Sequence, residues 1–116
     1  TDFVPTVLDM LDLETDESLP GKSLLPVLEG RQEKTRDRAF VQWYDYGFAV
    51  IGERFKLTWW ESDEDGELYD LENDPWERNN LFHEDSHARI RQDLLTALDT
   101  WREQYAQGLY EIQRKK

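Results

Sequence analysis

The chain has 116 residues, enough for one hydrophobic core and too few for two. Its 26 acidic residues outnumber 14 basic ones, and the formal net charge of −12 disfavours nucleic-acid binding, which depends on Lys and Arg. There is no cysteine, so disulfides, thiol nucleophiles and Cys-based zinc sites are excluded, while the cellular compartment stays open. No apolar run approaches the roughly 18 residues of a membrane-spanning helix, so we expect neither nucleic acid nor membrane as a partner.

The first predicted element is a helix from Asp2 to Leu13. Its apolar residues recur at helical spacing, at Val4, Val7, Leu8 and Leu11. Asp2 suits the N-cap position, and Pro5 falls in the first turn, where its missing N–H costs nothing. A short second helix is predicted from Ser23 to Leu28, before Gly30. The apolar face of the first helix is wide, so we expect another part of a protein to cover it.

The middle of the chain is rich in β-forming residues separated by short turns. Four strands are predicted, over Ala39 to Tyr44, Phe48 to Ile51, Phe55 to Trp60 and Glu67 to Leu71. Two sets of side chains alternate in the third strand, Phe55, Leu57 and Trp59 against Lys56, Thr58 and Trp60. Such alternation predicts one strand face on the core, and the short connections favour an antiparallel meander.

A long helix, from about Ser86 to Gln107, is the last predicted element. One stripe of it is apolar, at Ile90, Leu94, Leu98, Trp101 and Tyr105. Gly108 is its predicted C-cap. The order of elements predicts an α+β domain with an N-terminal helix, a four-stranded antiparallel sheet and a long C-terminal helix packed on the sheet.

The run from His83 to His87 reads H-E-x-x-H, the pattern of a zinc-binding helix. In zinc hydrolases this spacing places two imidazoles on one helical face, with the Glu as general base. Glu103 or Glu111 would then be the third ligand. Asp85 and Ser86, however, are residues typical of helix starts, so we interpret the run as the entry to the last helix.

The run from Glu61 to Glu72 imitates a calcium-binding EF-hand loop. Its matching positions are Asp63, Asp65, Gly66 and Glu72. The first ligand would be Glu rather than Asp, and the flanks are predicted strands rather than helices. We therefore interpret the run as an acidic hairpin tip that turns at Asp65-Gly66. With both imitations set aside, no catalytic and no metal-binding residue is predicted in this chain.

Four segments carry a family resemblance. They are Asp2 to Asp9 (DFVPTVLD), Leu19 to Gly30 (LPGKSLLPVLEG), Phe55 to Leu57 (FKL), and Glu67 to Glu77 (ELYDLENDPWE) with Asn80-Leu81 following. In order and spacing they resemble the C-terminal region of formylglycine-dependent (type I) sulfatases, of the alkaline-phosphatase-like superfamily. The resemblance extends over nearly the whole chain.

What the resemblance implies is a catalytic apparatus outside this chain, in a large N-terminal α/β domain. That apparatus consists of a formylglycine, made from the Cys or Ser of a C/S-x-P-x-R motif, and a divalent metal, usually calcium. The nearest imitation here, from Ser18 to Lys22 (SLPGK), has Lys in place of Arg, so no catalytic residue carries over. The resemblance implies that residues 1–30 are the last helix and connection of the missing catalytic domain. Residues 31–116 would be a C-terminal subdomain, inactive on its own.

The implied role of this subdomain is a scaffold that also lines the rim of a cleft for a sulfated small molecule or glycan. Trp43, Tyr44 and Tyr46, around the first hairpin, are the candidates for stacking on the substrate. The competing interpretation is that these aromatic side chains pack in the core or against another domain.

Two other classes of function remain open on the sequence. The chain would be a free-standing interaction domain if its helix from Asp2 to Leu13 docks on a separate protein. It would be a small metalloprotein if His83 and His87 bind zinc. In an isolated chain the exposed apolar helix would also promote self-association.

Overall fold

A computed structural model describes residues 1–44, 47–60 and 65–105 of the chain. The chain forms two compact units, Thr1–Asp37 and Arg38–Lys116. The α+β class is confirmed, with an N-terminal helix, a four-stranded antiparallel sheet and a long C-terminal helix. Within the described ranges, no helix has the length and apolar character needed to cross a bilayer.

The first unit contains two helices, α1 (Phe3–Met10) and α2 (Leu25–Leu28). α1 ends before the predicted Leu13, because Asp12 is left-handed (φ +55°) and the Leu13 N–H donates to the Leu8 carbonyl at 2.9 Å. α2 begins after the predicted Ser23, whose hydroxyl accepts the Leu25 N–H at 3.1 Å. It is followed by Gly30 in a left-handed conformation (φ +71°), which glycine adopts without a Cβ penalty.

The second unit is built on four antiparallel strands, β1 (Ala39–Trp43), β2 (Gly47–Ile51), β3 (Phe55–Trp60) and β4 (Asp65–Asp70). Their spatial order equals their sequence order, so the predicted meander is confirmed. β3 has its predicted bounds. The predicted turn at Asp65-Gly66 is wrong, because both residues belong to β4 and pair with Trp60 and Trp59. Residues 61–64, outside the described part, separate β3 from β4.

The core lies between one face of this sheet and the last helix, α3 (Ala88–Tyr105). Leu57 of β3 pairs with Val50 and Leu68 on the neighbouring strands, and all three side chains are fully buried. Leu94 and Leu98 of α3 are buried against this row. Removing each such side chain from water stabilises the fold by about 1.5–3 kcal/mol, which makes this row the centre of the unit.

α3 starts later than predicted, because a 3-10 turn at Asp85–His87 occupies the predicted first residues. Its predicted apolar stripe is confirmed in the core at Ile90, Leu94, Leu98 and Trp101. Trp101 stacks flat on Phe40 of β1, with ring centroids 5.4 Å apart. Arg102 lies over the Phe48 ring of β2 at 4.2 Å. The predicted helix end at Gln107 and Gly108 lies outside the described residues.

The outer edge of β4 is covered by the loop that precedes α3. The Asn80 side-chain oxygen accepts the N–H groups of Leu68 (3.0 Å) and Phe82 (2.9 Å). Its amide nitrogen donates to the Gly66 carbonyl at 3.1 Å, and the Leu81 N–H donates to the Leu68 carbonyl at 2.8 Å. The loop therefore satisfies backbone groups that an open edge strand would offer to another chain.

Candidate functional site

One end of the sheet carries two of the predicted rim residues, Trp43 and Tyr44. Strand pairing there joins Trp43 to Gly47, Gly47 to Trp60, and Trp60 to Asp65. The Trp43 indole lies across Gly47, where the Cβ of any other residue would overlap the ring. It meets the Trp60 ring edge-on, at 6.5 Å and 74°. These four residues and Tyr44 are named the aromatic end of the sheet. Because Phe40 and Trp59 face α3, alternation places Trp43 and Trp60 on the opposite sheet face.

Tyr44 is the exposed aromatic side chain of this end, with 78% of its surface accessible. Its backbone is left-handed (φ +55°), a conformation that is uncommon for residues with a Cβ and that clusters at functional sites. The Gln42 side-chain amide donates to the Tyr44 carbonyl at 3.1 Å. The backbone is thus held in a conformation that leaves the phenol ring outside the sheet.

Two of the three predicted rim residues are described by the structure, and their surroundings differ. Trp43 is partly buried by Gly47 and Trp60, Tyr44 is exposed, and Tyr46 lies outside the described residues. Trp60 was not among the predicted rim residues, although the structure places it beside Trp43. The alternation of side chains in β3 showed that Trp60 lies on the opposite sheet face from Trp59. That Trp60 lies beside Trp43 follows only from the strand register.

Asp65 and His83 are hydrogen-bonded to each other at the same end of the sheet. His83 Nε2 lies 2.9 Å from Asp65 Oδ1, and both side chains are more than half exposed. The Gly66 N–H, and then the His83 ring, hold the pKa of the Asp65 carboxyl below its ordinary value. The His83 ring also meets the Phe82 ring edge-on at 5.2 Å. This pair anchors the loop before α3 to the start of β4.

The H-E-x-x-H run does not lie on one α-helix. His83 precedes the 3-10 turn and contacts Asp65, whereas His87 lies in that turn beside the Ser86 hydroxyl (2.9 Å) and the Phe55 ring (6.2 Å). The two imidazoles therefore have separate partners, as expected for an entry to α3. Over residues 1–44, 47–60 and 65–105, no group of three His, Cys, Asp or Glu side chains is placed to hold a metal ion.

The EF-hand-like run from Glu61 to Glu72 falls partly outside the described residues, including Asp63. Its described part is the strand β4 and the turn after it, and β3 precedes it. An EF-hand needs a helix on each side of the loop. The preceding flank is a strand, as the sequence predicted, and the residues that follow Glu72 form turns rather than a helix.

The other end of β4 carries a buried carboxylate, Asp70. It accepts two hydrogen bonds from Arg54, at 3.0 and 2.7 Å, and one from the Asn73 side chain at 2.8 Å. The Arg54 guanidinium, with Asn73, holds the pKa of this carboxyl far below its usual range. In the next turn, Asp74 accepts the N–H groups of Arg78 (2.7 Å) and Asn79 (2.8 Å). Asp70 and Asp74 of the segment ELYDLENDPWE thus organise turns.

The two motif segments of the first unit bind each other through polar groups. Asp2 occupies the predicted N-cap position of α1, but its carboxylate makes no capping hydrogen bond and instead accepts the Lys22 N–H at 3.0 Å. The Thr6 hydroxyl accepts the Leu24 N–H at 2.9 Å. Asp9 accepts the Ser23 hydroxyl at 2.5 Å. The segments DFVPTVLD and LPGKSLLPVLEG are therefore held against each other by these three hydrogen bonds.

Comparison with known proteins matches this architecture to sulfatases. The family model described as "N-sulphoglucosamine sulphohydrolase, C-terminal" matches residues 1–104. An N-acetylglucosamine-6-O-sulfatase of Bacteroides thetaiotaomicron is 31% identical to the chain, over 90% of the chain and 21% of the relative. A solved structure of an enzyme with its substrate D-glucosamine-2-N,6-O-disulfate is 30% identical, with a TM-score of 0.79, over 91% of this chain and 24% of that one.

A phosphonate monoester hydrolase of Agrobacterium radiobacter has the same fold. It is 30% identical, with a TM-score of 0.74, over 90% of this chain and 24% of that one. The chain thus spans about a fifth to a quarter of the length of these relatives. It belongs to the family of N-sulphoglucosamine sulphohydrolase C-terminal domains, the C-terminal region of sulfatases that the sequence resembled.

Proposed function

We propose that this chain is the C-terminal part of a longer sulfuric ester hydrolase, where it serves as a scaffold and as part of the substrate-cleft rim. The supporting observation is the match to a C-terminal domain over residues 1–104, combined with coverage of only 21% of the sulfatase relative. The sulfated sugars named for the relatives make a sulfated saccharide the proposed substrate class. In this proposal residues 1–30 complete the catalytic domain and residues 31–116 form the subdomain.

The chemistry of the parent enzyme is assigned to residues outside this chain. A sulfatase would use a formylglycine and a divalent metal, with calcium the expected ion. This chain offers no Cys, its SLPGK run lacks the required Arg, and its described residues contain no metal-binding cluster. These groups therefore do not fit the residues present, and we expect the 116-residue chain to hydrolyse no aryl sulfate. Turnover that co-purifies with this chain through several columns would contradict the assignment.

Tyr44 is the residue we assign to the rim. It combines 78% exposure with a left-handed backbone supported by Gln42, whereas Trp43 is packed on Gly47 and Trp60. An aromatic side chain with a polar tip suits a sugar ring and its hydroxyl groups. Trp43 then supports the turn that presents Tyr44.

The test uses the longer polypeptide with Tyr44→Ala and assays a sulfated N-acetylglucosamine. Loss of one stacking contact should raise KM by about two- to tenfold. Trp76→Ala is the matched control, because Trp76 is also 78% exposed but follows the opposite end of β4. If Tyr44→Ala and Trp76→Ala changed KM equally, the assignment of Tyr44 to the rim would be refuted. If the reading frame had no C/S-x-P-x-R motif upstream of this chain, the proposal that the parent is a sulfatase would be refuted.

Two alternatives have their own supporting observations. The likeness to a phosphonate monoester hydrolase favours a parent that cleaves phosphonate esters, so both ester classes belong in the assay. The exposed apolar side chains of α1 favour a free-standing interaction domain that docks through this helix. Such a domain should stay monomeric and soluble until its partner is added, whereas a detached enzyme part should self-associate.

A further inference from the structure

The two edges of the sheet differ in how their outward-facing backbone groups are satisfied. The directions of these groups follow from two turns. The Gly52 N–H donates to the Phe55 carbonyl at 2.9 Å, between β2 and β3. The Leu71 N–H donates to the Arg54 carbonyl at 2.7 Å, where β3 and β4 pair. Because hydrogen-bonded pairs alternate along antiparallel strands, the register then gives the direction of each backbone group in the sheet.

At the β4 edge, the outward groups are bound by the chain itself. They include the Gly66 carbonyl and both backbone groups of Leu68. The Asn80 side chain binds the Gly66 carbonyl and the Leu68 N–H, and the Leu81 N–H binds the Leu68 carbonyl. This edge is therefore closed to another strand.

The β1 edge has no such cover. Ala39, Val41 and Trp43 occupy the hydrogen-bonded positions of the pair with β2, so the N–H and carbonyl groups of Phe40 and Gln42 point outward. Within residues 1–44, 47–60 and 65–105, none of these four groups has a hydrogen-bond partner. The strand sequence AFVQW also contains no charged residue, proline or glycine, the residues that usually guard an open edge. β1 can therefore accept a further strand.

The sequence of β1 is complementary to a second copy of itself. In an antiparallel pair with a twofold axis at Val41, Phe40 of one copy lies opposite Gln42 of the other. The outward N–H and carbonyl groups of these two residues then bind each other, twice by symmetry. Ala39 of one copy lies opposite Trp43 of the other, so no two large side chains collide. This register overlaps all five residues of the strand, and it brings the two half-exposed Val41 side chains together.

The sheet unit leaves room for the second copy. α3 packs mainly on β2 and β3, away from the β1 edge. With paired strands about 4.8 Å apart, the β2 strands of two joined copies would be about 14 Å apart. Packed helices approach to about 8–10 Å, so the two α3 helices would not collide. The net charge of −12 opposes association, but β1 itself is uncharged, and about 0.15 M salt screens exposed charges beyond about 8 Å.

We infer that β1 is an interface between two copies of this chain, which pair edge to edge about a twofold axis at Val41. The two four-stranded sheets then form one continuous antiparallel sheet. This interface goes beyond the proposed function, since it does not depend on which ester the parent enzyme cleaves. A strand of another domain is the competing occupant, and the self-complementary register favours a second copy.

The experiment exchanges charges at the twofold axis and measures the dimer Kd by sedimentation in about 0.15 M salt. Val41→Lys places two like charges opposite each other and should raise the Kd at least about tenfold, although it makes the chain less negative. Val41→Glu should have the same effect. An equimolar mixture of the two variants places opposite charges at the axis and should restore the Kd to within about threefold of the wild type.

The matched control is Leu11→Lys, because Leu11 is also an exposed apolar side chain but lies after α1. It should leave the Kd unchanged. A measurement on the wild type needs no variant to fold. The Phe40 and Gln42 amides should exchange with solvent at least about tenfold more slowly in the dimer than in the monomer.

A wild-type chain that stays monomeric at millimolar concentration would overturn the inference. So would a mixture of the two Val41 variants that associates no better than either one, or a control that weakens the dimer as much as Val41→Lys. The same mixture is then measured in the longer polypeptide. If the wild-type longer polypeptide is monomeric while the 116-residue chain pairs, another domain covers β1 and the inference is wrong. A longer polypeptide that pairs through Val41 but cleaves no sulfate ester would refute only the proposed function.

Discussion

Arg54 and Asp70 form a two-pronged ion pair at the end of the sheet opposite Tyr44. Arg54 Nε lies 3.0 Å from Asp70 Oδ1, and Nη2 lies 2.7 Å from Oδ2. Asp70 is 6% exposed and also accepts the N–H groups of Glu72 and Asn73. One buried carboxylate therefore joins the turn before β3 to the turn after β4, and its hydrogen bonds explain why an Asp stands in the ELYDLENDP segment.

The ionised Asp70 carboxylate should make the stability of the fold depend on pH. Arg54 depresses the pKa of Asp70 in the folded protein, whereas the unfolded chain has the ordinary value of about 3.9. The folded state therefore gains stability from ionised Asp70 above about pH 4 and loses it as the pH falls further. The free energy of unfolding, measured by urea denaturation between about pH 2 and 6, should fall less steeply with decreasing pH for Asp70→Asn than for the wild type. Parallel slopes would contradict the assignment.

Removing the Asn80 side chain should destabilise the β4 edge. Asn80→Ala leaves the Leu68 and Phe82 N–H groups and the Gly66 carbonyl without their partner. The expected loss is about 1–2 kcal/mol in the free energy of unfolding, measured by urea denaturation. Asn79→Ala is the neighbouring control, because Asn79 bonds to Asp74 through its backbone N–H alone. A loss no larger than that of the control would show that water replaces these bonds.

Two glycines of the sheet unit should respond in opposite ways to alanine. At Gly66 an added Cβ would lie 2.5 Å from the Phe82 ring and 2.6 Å from the Thr58 carbonyl. Gly66→Ala should therefore cost about 1–3 kcal/mol through overpacking. At Gly52 the nearest atom, the Phe55 carbonyl oxygen, is 3.5 Å away, so Gly52→Ala should be neutral or slightly stabilising. Thermal unfolding of the two variants distinguishes them, and similar melting temperatures would refute the close packing of Phe82 on β4.

Leu98 should be the costliest position of α3 to truncate. Its side chain is 1% exposed and lies in the core with Phe48, Leu57 and Leu68. Leu98→Ala should lower the free energy of unfolding by about 2–5 kcal/mol, through lost transfer energy and the cavity left behind. Leu98→Met, which nearly conserves volume, should cost less than about 1.5 kcal/mol. If the alanine variant were no less stable than the methionine variant, α3 would not pack on the sheet as described.

Local patterns were sufficient for the order of elements and for the core face of β3. Phe55, Leu57 and Trp59 face the core and alternate with a second set of side chains, and every strand has this period of two. The bounds of α1 were less predictable. The apolar residues continue to Leu13, but the helix ends at Met10 because Asp12 adopts a left-handed conformation that no apolar pattern encodes.

The candidate site was predicted only in part, because its contacts join distant positions. The aromatic residues of the first hairpin were visible in the sequence, whereas the contact between Trp43 and Trp60 depends on the register of β1, β2 and β3. Asp2 illustrates the same limit. As a residue before a helix it was predicted to cap α1, yet its carboxylate binds the Lys22 N–H and the Arg36 guanidinium.

The sequence by itself determined the α+β class, the meander and the resemblance to sulfatase C-terminal regions, because each rests on short-range periodicity or on segment order. Only the tertiary structure decided which face of α1 contacts the rest of its own unit. The backbone N–H groups of Lys22 and Leu24 and the Ser23 hydroxyl bind the polar positions of that helix, while Phe3, Val4 and Met10 stay exposed. A helix pattern shows that two faces differ, but the partner that each face meets is set by residues far along the chain or on another domain.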